Sequence, residues 1–312
     1  MMRVVRHLAP DHRPFRSPVL ALGNFDGLHL GHQAIMQRTI ERAQSLGGEP
    51  IAFTFWPHPI AVLAPGRAPA MITSLAARLA ALRATGLAGV VVRHFTRRFA
   101  ALTPEQFVRD VLVGGLGVAG VVVGYNVTFG HDRTGTPDVL RDLGRDYGFA
   151  VDVVPPVAIG EHTVSSSAVR RALHAGDVAH AARLLGRPHT LVGLVRHGDH
   201  RGASIGVPTA NVFPHGGMLP PDGVYAVRVG IGDEMPERPA VANLGTNPTF
   251  AAVGRRLETH LFDFDGDLYG RRIQVALVQR LRGEVKFPSV QDLVAQIRKD
   301  AAAAREVLGV RS

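Results

Sequence analysis

The stretch at residues 23–33, Gly-Asn-Phe-Asp-Gly-Leu-His-Leu-Gly-His-Gln, combines two histidines, an asparagine and three glycines. An apolar run, Val19–Leu22, precedes it, and apolar residues at helical spacing follow it. This pattern predicts a strand, a glycine-rich turn and the start of a helix. Such a turn aims backbone N–H groups and the positive end of a helix dipole at one point. We therefore expect an anion to bind there, with phosphate as the best candidate.

The side chains of this stretch refine the expectation. His29 and His32 flank Gly31 in the pattern His-x-Gly-His, and on a first helical turn both imidazoles can face the same side. Gly31 would leave room for a large planar ligand near the backbone, while Asn24 and the histidines would stabilise charge on a phosphate. Two simpler interpretations are capping histidines and half of a zinc site. The glycines and the strand–turn–helix context favour nucleotide binding. The further candidate binding residues in the turn are Gly23 and Asp26.

The first half of the chain predicts alternating strands and helices. The predicted strands are Val19–Leu22, Ile51–Phe55, Gly89–Val92, Val118–Val123 and Ala150–Val154. The predicted helices are Ala34–Leu46, Ser74–Thr85, Pro104–Val113 and Pro137–Tyr147. Apolar strands alternating with helices are typical of a doubly wound α/β fold, a parallel sheet covered on both faces. Ligands in such folds bind beyond the carboxyl ends of the strands.

Polar residues follow several of these strand ends. His58 lies in a Pro-His-Pro segment after the second strand, and Asn126 and Phe129 follow the fourth. Beyond the fifth strand come Ser165, Ser166 and Arg170. Each has a structural interpretation, since Pro-His-Pro can be a rigid turn and the serines helix caps. Their shared position at one edge of the sheet favours a binding site.

The second half changes its periodicity. Short alternating strands are predicted at Thr190–Arg196, Thr209–Phe213, Gly223–Val229, Pro239–Leu244, Arg256–Phe264 and Ile273–Arg280. No crossover helix fits between them, so the pattern predicts an antiparallel β-barrel, closed by a helix over Ser289–Leu308. The pattern breaks at residues 186–189, which predicts two domains, 1–186 and 187–312.

A loop at residues 201–211 is the first candidate site in the barrel. Its residues Gly202, Gly206 and Pro208 would shape a loop that wraps phosphates through backbone N–H groups. Thr209 and Asn211 are alternate residues at a strand start, so their oxygens can help to hold Mg²⁺. The alternative is an ordinary proline turn entering a strand.

Glu258 is the second candidate in the barrel. Leu257, Thr259 and Leu261 share one strand face, whereas Glu258 and His260 share the other. Glu258 would then be a general base in the mouth of the barrel. The alternative, a solvated glutamate on an exposed face, is common.

Composition narrows the class of protein. The chain of 312 residues has no cysteine, which excludes disulfides, Fe–S clusters and cysteine-ligated zinc. Its net charge of +9 can indicate a polyanionic partner, but the basic residues are dispersed and aromatics are only 6%. We therefore expect no nucleic-acid partner. Residues 1–15 lack the apolar core of a signal peptide, and the uncharged stretch 111–130 is rich in glycine, so we expect a cytoplasmic protein without a membrane span.

A conventional P-loop is absent, because neither Lys286 nor Lys299 follows a glycine. Any kinase activity would need another phosphate cradle.

At the level of whole motifs, the chain resembles a known family. The N-terminal motifs are similar to the adenylyltransferase module of the bacterial bifunctional riboflavin kinase/FMN adenylyltransferases (FAD synthetases): Gly-Asn-Phe-Asp-Gly-Leu-His-Leu-Gly-His-Gln, Phe-Thr-Phe-Trp-Pro-His-Pro and Ser-Ser-Ser-Ala-Val-Arg. The C-terminal motifs are similar to their riboflavin kinase module: Pro-Thr-Ala-Asn, Gly-Val-Tyr-Ala-Val, Asn-Pro-Thr-Phe, Leu-Glu-Thr-His-Leu-Phe-Asp-Phe and Leu-Tyr-Gly. The resemblance covers nearly the whole chain.

The resemblance implies two sequential reactions. Riboflavin and ATP give FMN, and FMN and ATP give FAD and pyrophosphate, with Mg²⁺ accompanying ATP. It assigns Thr209 and Asn211 to the metal and ATP phosphates, and Glu258 to the base that accepts the ribityl hydroxyl proton. The positions that match residues at the ATP phosphates are Asn24, His29, His32, Ser166 and Arg170. Those that match the region nearer the flavin and ATP are His58, Asn126 and Phe129. We expect a monomer or a weak homo-oligomer.

Overall fold

The computed structural model describes residues 2–8, 13–197, 207–246 and 255–310. The chain forms two compact units, Met1–Ser165 and Ser166–Ser312. The second unit includes residues 166–186, which the division predicted from the sequence places in the first domain. The functional boundary at residues 186/187 stays a prediction.

The first unit is built on a six-stranded parallel sheet in the order β1-β4-β3-β2-β5-β6. Its strands are β1 (Arg3–Val5), β2 (Val19–Leu22), β3 (Pro50–Trp56), β4 (Gly89–His94), β5 (Gly120–Gly124) and β6 (Ala150–Val154). The predicted strands are confirmed. Only β1 was missed, because a three-residue strand at the sheet edge, with Val4 41% exposed, has no apolar run. Two short strands, β7 (Ala158–Ile159) and β8 (His162–Thr163), form a separate hairpin.

Helices of the first unit cover both faces of this sheet, as the doubly wound prediction requires. They are α1 (Leu30–Ser45), α2 (Pro59–Leu63), α3 (Leu75–Ala84), α4 (Arg97–Ala100), α5 (Pro104–Gln106), which continues as a π-helical segment (Phe107–Leu116), and α6 (Pro137–Tyr147). One core cluster joins the sheet to α1 and α3 through Met36 and Leu82. The cluster on the other face joins it to the π-helical segment and α6 through Leu112 and Leu140.

The order of the strands indicates where along the sheet a ligand would bind. From β2 the chain goes to β3 and β4 on one side of the sheet and then to β5 and β6 on the other. The switch in direction lies between β2 and β5, and parallel sheets bind ligands beyond the carboxyl ends of the strands at such a point. The His-x-Gly-His turn leaves β2 there.

The second unit begins with α7 (Ser166–Ala175) and α8 (Val178–Leu185) and continues as a closed antiparallel barrel in the order β10-β13-β12-β11-β14-β9. The barrel strands are β9 (His189–Arg196), β10 (Ala210–Pro214), β11 (Gly223–Ile231), β12 (Arg238–Thr246), β13 (Arg255–Leu261) and β14 (Arg272–Arg282). Helix α9 (Val290–Leu308) packs on the outside of β11 and β12 through Ala304 and Leu308. The Ser289 side chain caps α9 by accepting from the Asp292 N–H, as predicted.

Candidate active sites

The turn between β2 and α1 has a left-handed backbone at three residues, of which only one is a glycine. Phe25, Gly27 and Leu28 all have positive φ, at 52°, 81° and 45°. A Cβ on Gly23 would lie 2.9 Å from the Phe25 ring, so only glycine fits beside that side chain. Helix α1 then starts with no acidic residue in its first turn. Its N-terminal dipole is therefore not neutralised from within the helix and can attract an anion.

The two histidines form a stacked pair at this helix start. Their ring centroids are 3.6 Å apart with planes inclined by 20°, and the Phe25 ring meets His32 edge-on at 5.3 Å. The expectation that both imidazoles share one side is confirmed. His29 also caps α1, because its Nδ1 accepts the backbone N–H of His32 at 3.3 Å. This bond requires an unprotonated Nδ1, so the neutral His29 ring carries its proton on Nε2.

Gly31 has a role in addition to the one predicted. A Cβ at this position would lie 3.2 Å from Cε1 of the His29 ring, so the glycine makes room for the folded-back imidazole. The approach of a planar ligand near Gly31 stays a prediction.

Asn24 is held by β3 and α3, and Asp26 by the segment that leads into α3. The Asn24 carbonyl accepts from Thr54 Oγ1 at 3.0 Å and from Arg78 Nη1 at 2.9 Å. The Asp26 carboxylate, 1% exposed, accepts the N–H groups of Ile72 and Thr73 at 3.0 and 3.1 Å. Asp26 therefore fixes the turn. Asn24 Oδ1 is buried and has no hydrogen-bond partner within the described ranges, so it can accept from a donor group of a ligand, whereas an anion would need the Nδ2 donor of the same side chain.

The other strand ends lie on both sides of this turn, because β3 and β5 are the two neighbours of β2. His58 caps α2, with its Nδ1 accepting the Ile60 N–H at 3.2 Å. Asn126 is exposed beyond β5. Phe129 is buried in the aromatic core, 5.8 Å from the Phe107 ring, and so packs beneath the edge of the sheet. Three of the predicted strand ends thus converge.

The serine and arginine candidates follow the hairpin. Ser165 ends the first unit, while Ser166 is the first residue of α7 in the second. Arg170 lies four residues after Ser166, so both are on one side of α7.

Helix α1 is also tied to the sheet by a charged cluster. Arg38 and Arg42 both bind the carboxylate of Asp152 on β6, with N–O distances of 2.6 to 3.0 Å. The hydrogen bond from Arg42 is the main reason why the pKa of Asp152 is lowered. The two arginines therefore fix α1 to β6 at the edge of the sheet, and α1 carries the histidine pair at its start.

In the barrel, Glu258 lies between two asparagines. The register pairs it with Asn211 on β10 and with Asn243 on β12. Directly opposed residues in antiparallel strands have Cβ atoms about 5 Å apart, so these three polar side chains are neighbours. Asn211 is 7% exposed, and the Glu258 side chain is 39% exposed.

This cluster is on the outer surface of the barrel, so the prediction that Glu258 lies in the barrel mouth is wrong. His260 opposes Val241, and Val241 packs with Ala304 and Leu308 of α9 outside the barrel. Glu258 has the same strand parity as His260 and therefore faces outward as well. The grouping of Glu258 with His260, opposite Leu257 and Thr259, is confirmed.

The segment before β10 carries the predicted metal candidates. His260 Nδ1 donates to the Pro208 carbonyl at 2.8 Å, which ties this segment to β13. Thr209 lies just before β10 and Asn211 within it, two residues apart. The loop candidates Gly202 and Gly206 lie outside the described residues.

Sequence reasoning missed three residues close to these sites. Arg256, 6% exposed, binds Oε1 of Glu258 through Nε at 3.1 Å and Nη2 at 2.6 Å. The Glu284 carboxylate lies against the Cα of Gly245, the cross-strand partner of Arg256. Arg78 is 1% exposed and braces Asn24. The period of two in β13 could have identified Arg256, which is two residues from Glu258.

None of the helices in the described ranges combines the length and hydropathy that a membrane-spanning segment requires. Within those same ranges, His, Asp and Glu residues form no cluster of three or more suited to a metal ion.

Comparison with known proteins adds to this geometry. A family model for FAD synthetase matches residues 12–168, and one for riboflavin kinase matches residues 185–308. A bifunctional riboflavin kinase/FMN adenylyltransferase of Escherichia coli K12 is 42% identical over 95% of both chains. A protein of the same description from Pseudomonas fluorescens is 42% identical over 98% of this chain and 96% of its own.

A solved structure extends the similarity to the whole fold. A Streptococcus pneumoniae protein described as a macrolide-efflux protein superposes with a TM-score of 0.87 at 31% identity, covering 97% of this chain and 99% of its own. That description concerns the pneumococcal protein. The two family models and the curated relatives agree on a different pair of activities.

Proposed function

The chain belongs to the bifunctional riboflavin kinase/FMN adenylyltransferase family, and we propose a role in one of the two reactions for each candidate residue. The N-terminal half is an FMN adenylyltransferase and the C-terminal half a riboflavin kinase, with ATP consumed in both steps. Riboflavin is phosphorylated to FMN, and FMN is then adenylylated to FAD. The assignment of individual residues is our own.

In the N-terminal half, an oxygen of the FMN phosphate attacks the α-phosphorus of ATP and pyrophosphate leaves. No protein nucleophile is needed, so catalysis rests on positioning and on stabilising the negative charge of the transition state. His29, His32 and Asn24 supply donors at the N-terminus of α1. The stacked histidine pair is the observation that carries this proposal, because the His29 cap fixes one ring and stacking fixes the other.

The surrounding residues contact the two substrates. Gly23, Asp26 and Gly31 shape the turn that receives ATP. Ser165, Ser166 and Arg170 contribute to phosphate binding, with Arg170 assisting charge stabilisation. His58, Asn126 and Phe129 form the part of the site nearer the flavin and ATP.

In the C-terminal half, Glu258 accepts the proton of the ribityl hydroxyl as that oxygen attacks the γ-phosphorus of ATP and ADP leaves. Its place between Asn211 and Asn243 on an accessible strand face supports this role. Gly202, Gly206 and Pro208 belong to the loop that wraps the ATP phosphates.

The metal that accompanies ATP is Mg²⁺ in this proposal, held by Thr209 and Asn211. Hydroxyl and amide oxygens are hard donors that suit Mg²⁺, which takes most of its remaining ligands from phosphates and water. The donor set therefore fits a metal that arrives with its nucleotide. When bound, the ion neutralises charge on the transferred phosphoryl group.

We further propose a cytoplasmic monomer or weak homo-oligomer that divides functionally at residues 186/187 and binds no nucleic acid. Dispersed arginines and an aromatic content of 6% support the last point. A basic RNA-binding protein with a degenerate nucleotide fold is the alternative that the charge of +9 raises. A flavin-binding regulator without catalysis is another, which the presence of both Glu258 and the histidine pair disfavours.

One assay tests the function directly. Purified protein is incubated with riboflavin, ATP and MgCl₂, and the flavins are separated by chromatography. We expect FMN to appear first and FAD to follow. Formation of neither product, together with tight and salt-sensitive RNA binding, would support the RNA-binding alternative.

Two variants test the residue roles separately. We expect His32→Ala to lower FAD formation by about 10²–10³-fold, the usual cost of one lost transition-state donor, and to leave FMN formation unchanged. We expect Glu258→Ala to stop FMN formation while supplied FMN is still adenylylated. Loss of both activities in either variant would contradict the assignment of separate sites.

A further inference from the structure

The residue beneath the proposed base is an arginine with almost no solvent exposure. Two nitrogens of Arg256 contact a single carboxylate oxygen of Glu258, at 2.6 and 3.1 Å, and the Arg256 side chain is 8% exposed. Exposed ion pairs contribute only about 0–1 kcal/mol, partly because both side chains stay mobile. Here one partner is buried, so the contact fixes the orientation of the other.

Strand geometry makes this contact local and rigid. Arg256 and Glu258 are alternate residues of β13 and therefore share its outer face. The cross-strand partner of Arg256 is Gly245, and the Glu284 carboxylate occupies the space that a side chain at Gly245 would fill. The guanidinium reaches along the strand to the carboxylate of Glu258.

The contact is one-sided. Both nitrogens bind Oε1, and within the described ranges nothing donates a hydrogen bond to Oε2 of Glu258. A carboxylate held by one oxygen cannot rotate freely, so its second oxygen keeps a constant direction. A general base needs this property, because its accepting atom must lie within about 3 Å of the proton donor.

We propose that Arg256 is a positioning residue for riboflavin phosphorylation, which holds Oε1 of Glu258 so that Oε2 faces the ribityl hydroxyl. It acts through Glu258 and does not itself bind substrate. The proposal rests on the proposed role of Glu258 as the base.

The test is a double-mutant cycle on the full-length protein with R256M, E258Q and the combined variant. The kcat and KM of FMN formation are measured with riboflavin, ATP and MgCl₂. FAD formation from supplied FMN, in the same preparation, reports on the N-terminal half, and circular dichroism with denaturant unfolding reports on the folding of the barrel. We expect R256M to lower the kcat of FMN formation by about 10–100-fold, the scale of a misplaced catalytic group, with KM values changed less than about threefold. R256K, which keeps the charge but loses the planar fork, should restore part of the kcat.

The cycle separates the possible roles. If Arg256 acts through Glu258, adding R256M to E258Q produces no further loss. An equal loss in both backgrounds, or a raised KM for ATP with unchanged kcat, would overturn the proposal and assign Arg256 to the nucleotide. Retention of full kinase activity by E258Q would instead contradict the role of Glu258.

Arg255 provides a matched control. It is adjacent in sequence but points the other way and pairs with Asp222. We expect R255M to leave the kcat of FMN formation within about threefold of wild type, well short of a misplaced catalytic group. A loss as large as that of R256M would show that any arginine removed from β13 has the same effect, and would overturn the proposal. If R256M fails to fold, R256K and R256Q carry the same comparison.

Discussion

Asp26→Asn would show how much the histidine turn depends on a single buried carboxylate. In the wild type, one oxygen accepts the Ile72 N–H and the other accepts the Thr73 N–H and, at 3.4 Å, its hydroxyl. Asparagine has the same shape but only one oxygen, so its amide N–H₂ would face one of these backbone donors. One buried N–H is then left unsatisfied, at a cost of about 1–3 kcal/mol.

The size of this cost defines the assay. In domains of 150–250 residues, each kcal/mol lowers Tm by about 2–4 °C, so we expect a decrease of about 2–12 °C in the transition of the N-terminal unit. FAD formation from FMN should fall as the turn loosens, while FMN formation in the other half is unchanged. Calorimetry and flavin chromatography measure the two effects.

An exposed carboxylate supplies the control. Asp138 on α6, with a side chain 84% exposed, contacts only Arg141 in a surface pair, and Asp138→Asn should change Tm by about 2 °C or less. If Asp26→Asn has the Tm and the FAD formation of wild type, the carboxylate does not hold the turn. Equal losses in both variants would refute the reasoning in the same way.

Three further predictions concern the charged clusters and the metal residues. The pKa of Asp152 is lowered in the folded protein, so its contribution to stability is present above its ordinary pKa of 3.8 and is lost as the pH falls through the lower pKa of the folded state. We therefore expect urea unfolding of Asp152→Asn to depend less on pH than that of wild type below about pH 4. Asp300 binds Arg282 through both of its carboxylate oxygens. We expect Asp300→Asn to lower the free energy of unfolding of the C-terminal unit by about 3 kcal/mol, as measured by denaturant unfolding. Asn211→Ala should raise the Mg²⁺ concentration required for half-maximal FMN formation about tenfold, with adenylylation as the internal control.

The sequence predicted which residues share a strand face with Glu258 better than it predicted where that face lies. A period of two assigns residues to two faces of a strand, but it does not say which face is inside a barrel. Here the outer face is also apolar where α9 covers Val241, so hydrophobicity could not distinguish the faces. The inside was identified only when the structure showed which side carries the helix.

The turn between β2 and α1 shows a second limit of prediction from the sequence. The motif predicted two histidines on one side, which is confirmed, and an anion site, which stays a prediction. The motif left open whether a histidine caps the helix, as His29 does, and it did not reveal that Asp26 would bind the segment before α3. Both contacts join residues through backbone N–H groups, which have no signature in side-chain spacing. The buried Arg78 was missed because a basic residue in a helix is ordinarily assigned to solvent.

The register of β13 has a consequence for how this half of the protein can change during evolution. Insertion or deletion of one residue within the strand would turn Arg256, Glu258 and His260 toward the barrel interior and expose Leu257 and Thr259. The pairing of β11 with β14 contains two register shifts, whereas β13 pairs without a shift with β10 on one side and β12 on the other, so a slip there would disrupt two ladders at once. Length variation among descendants of this chain should therefore be confined to the connections between strands, and the strand itself should change only by substitution.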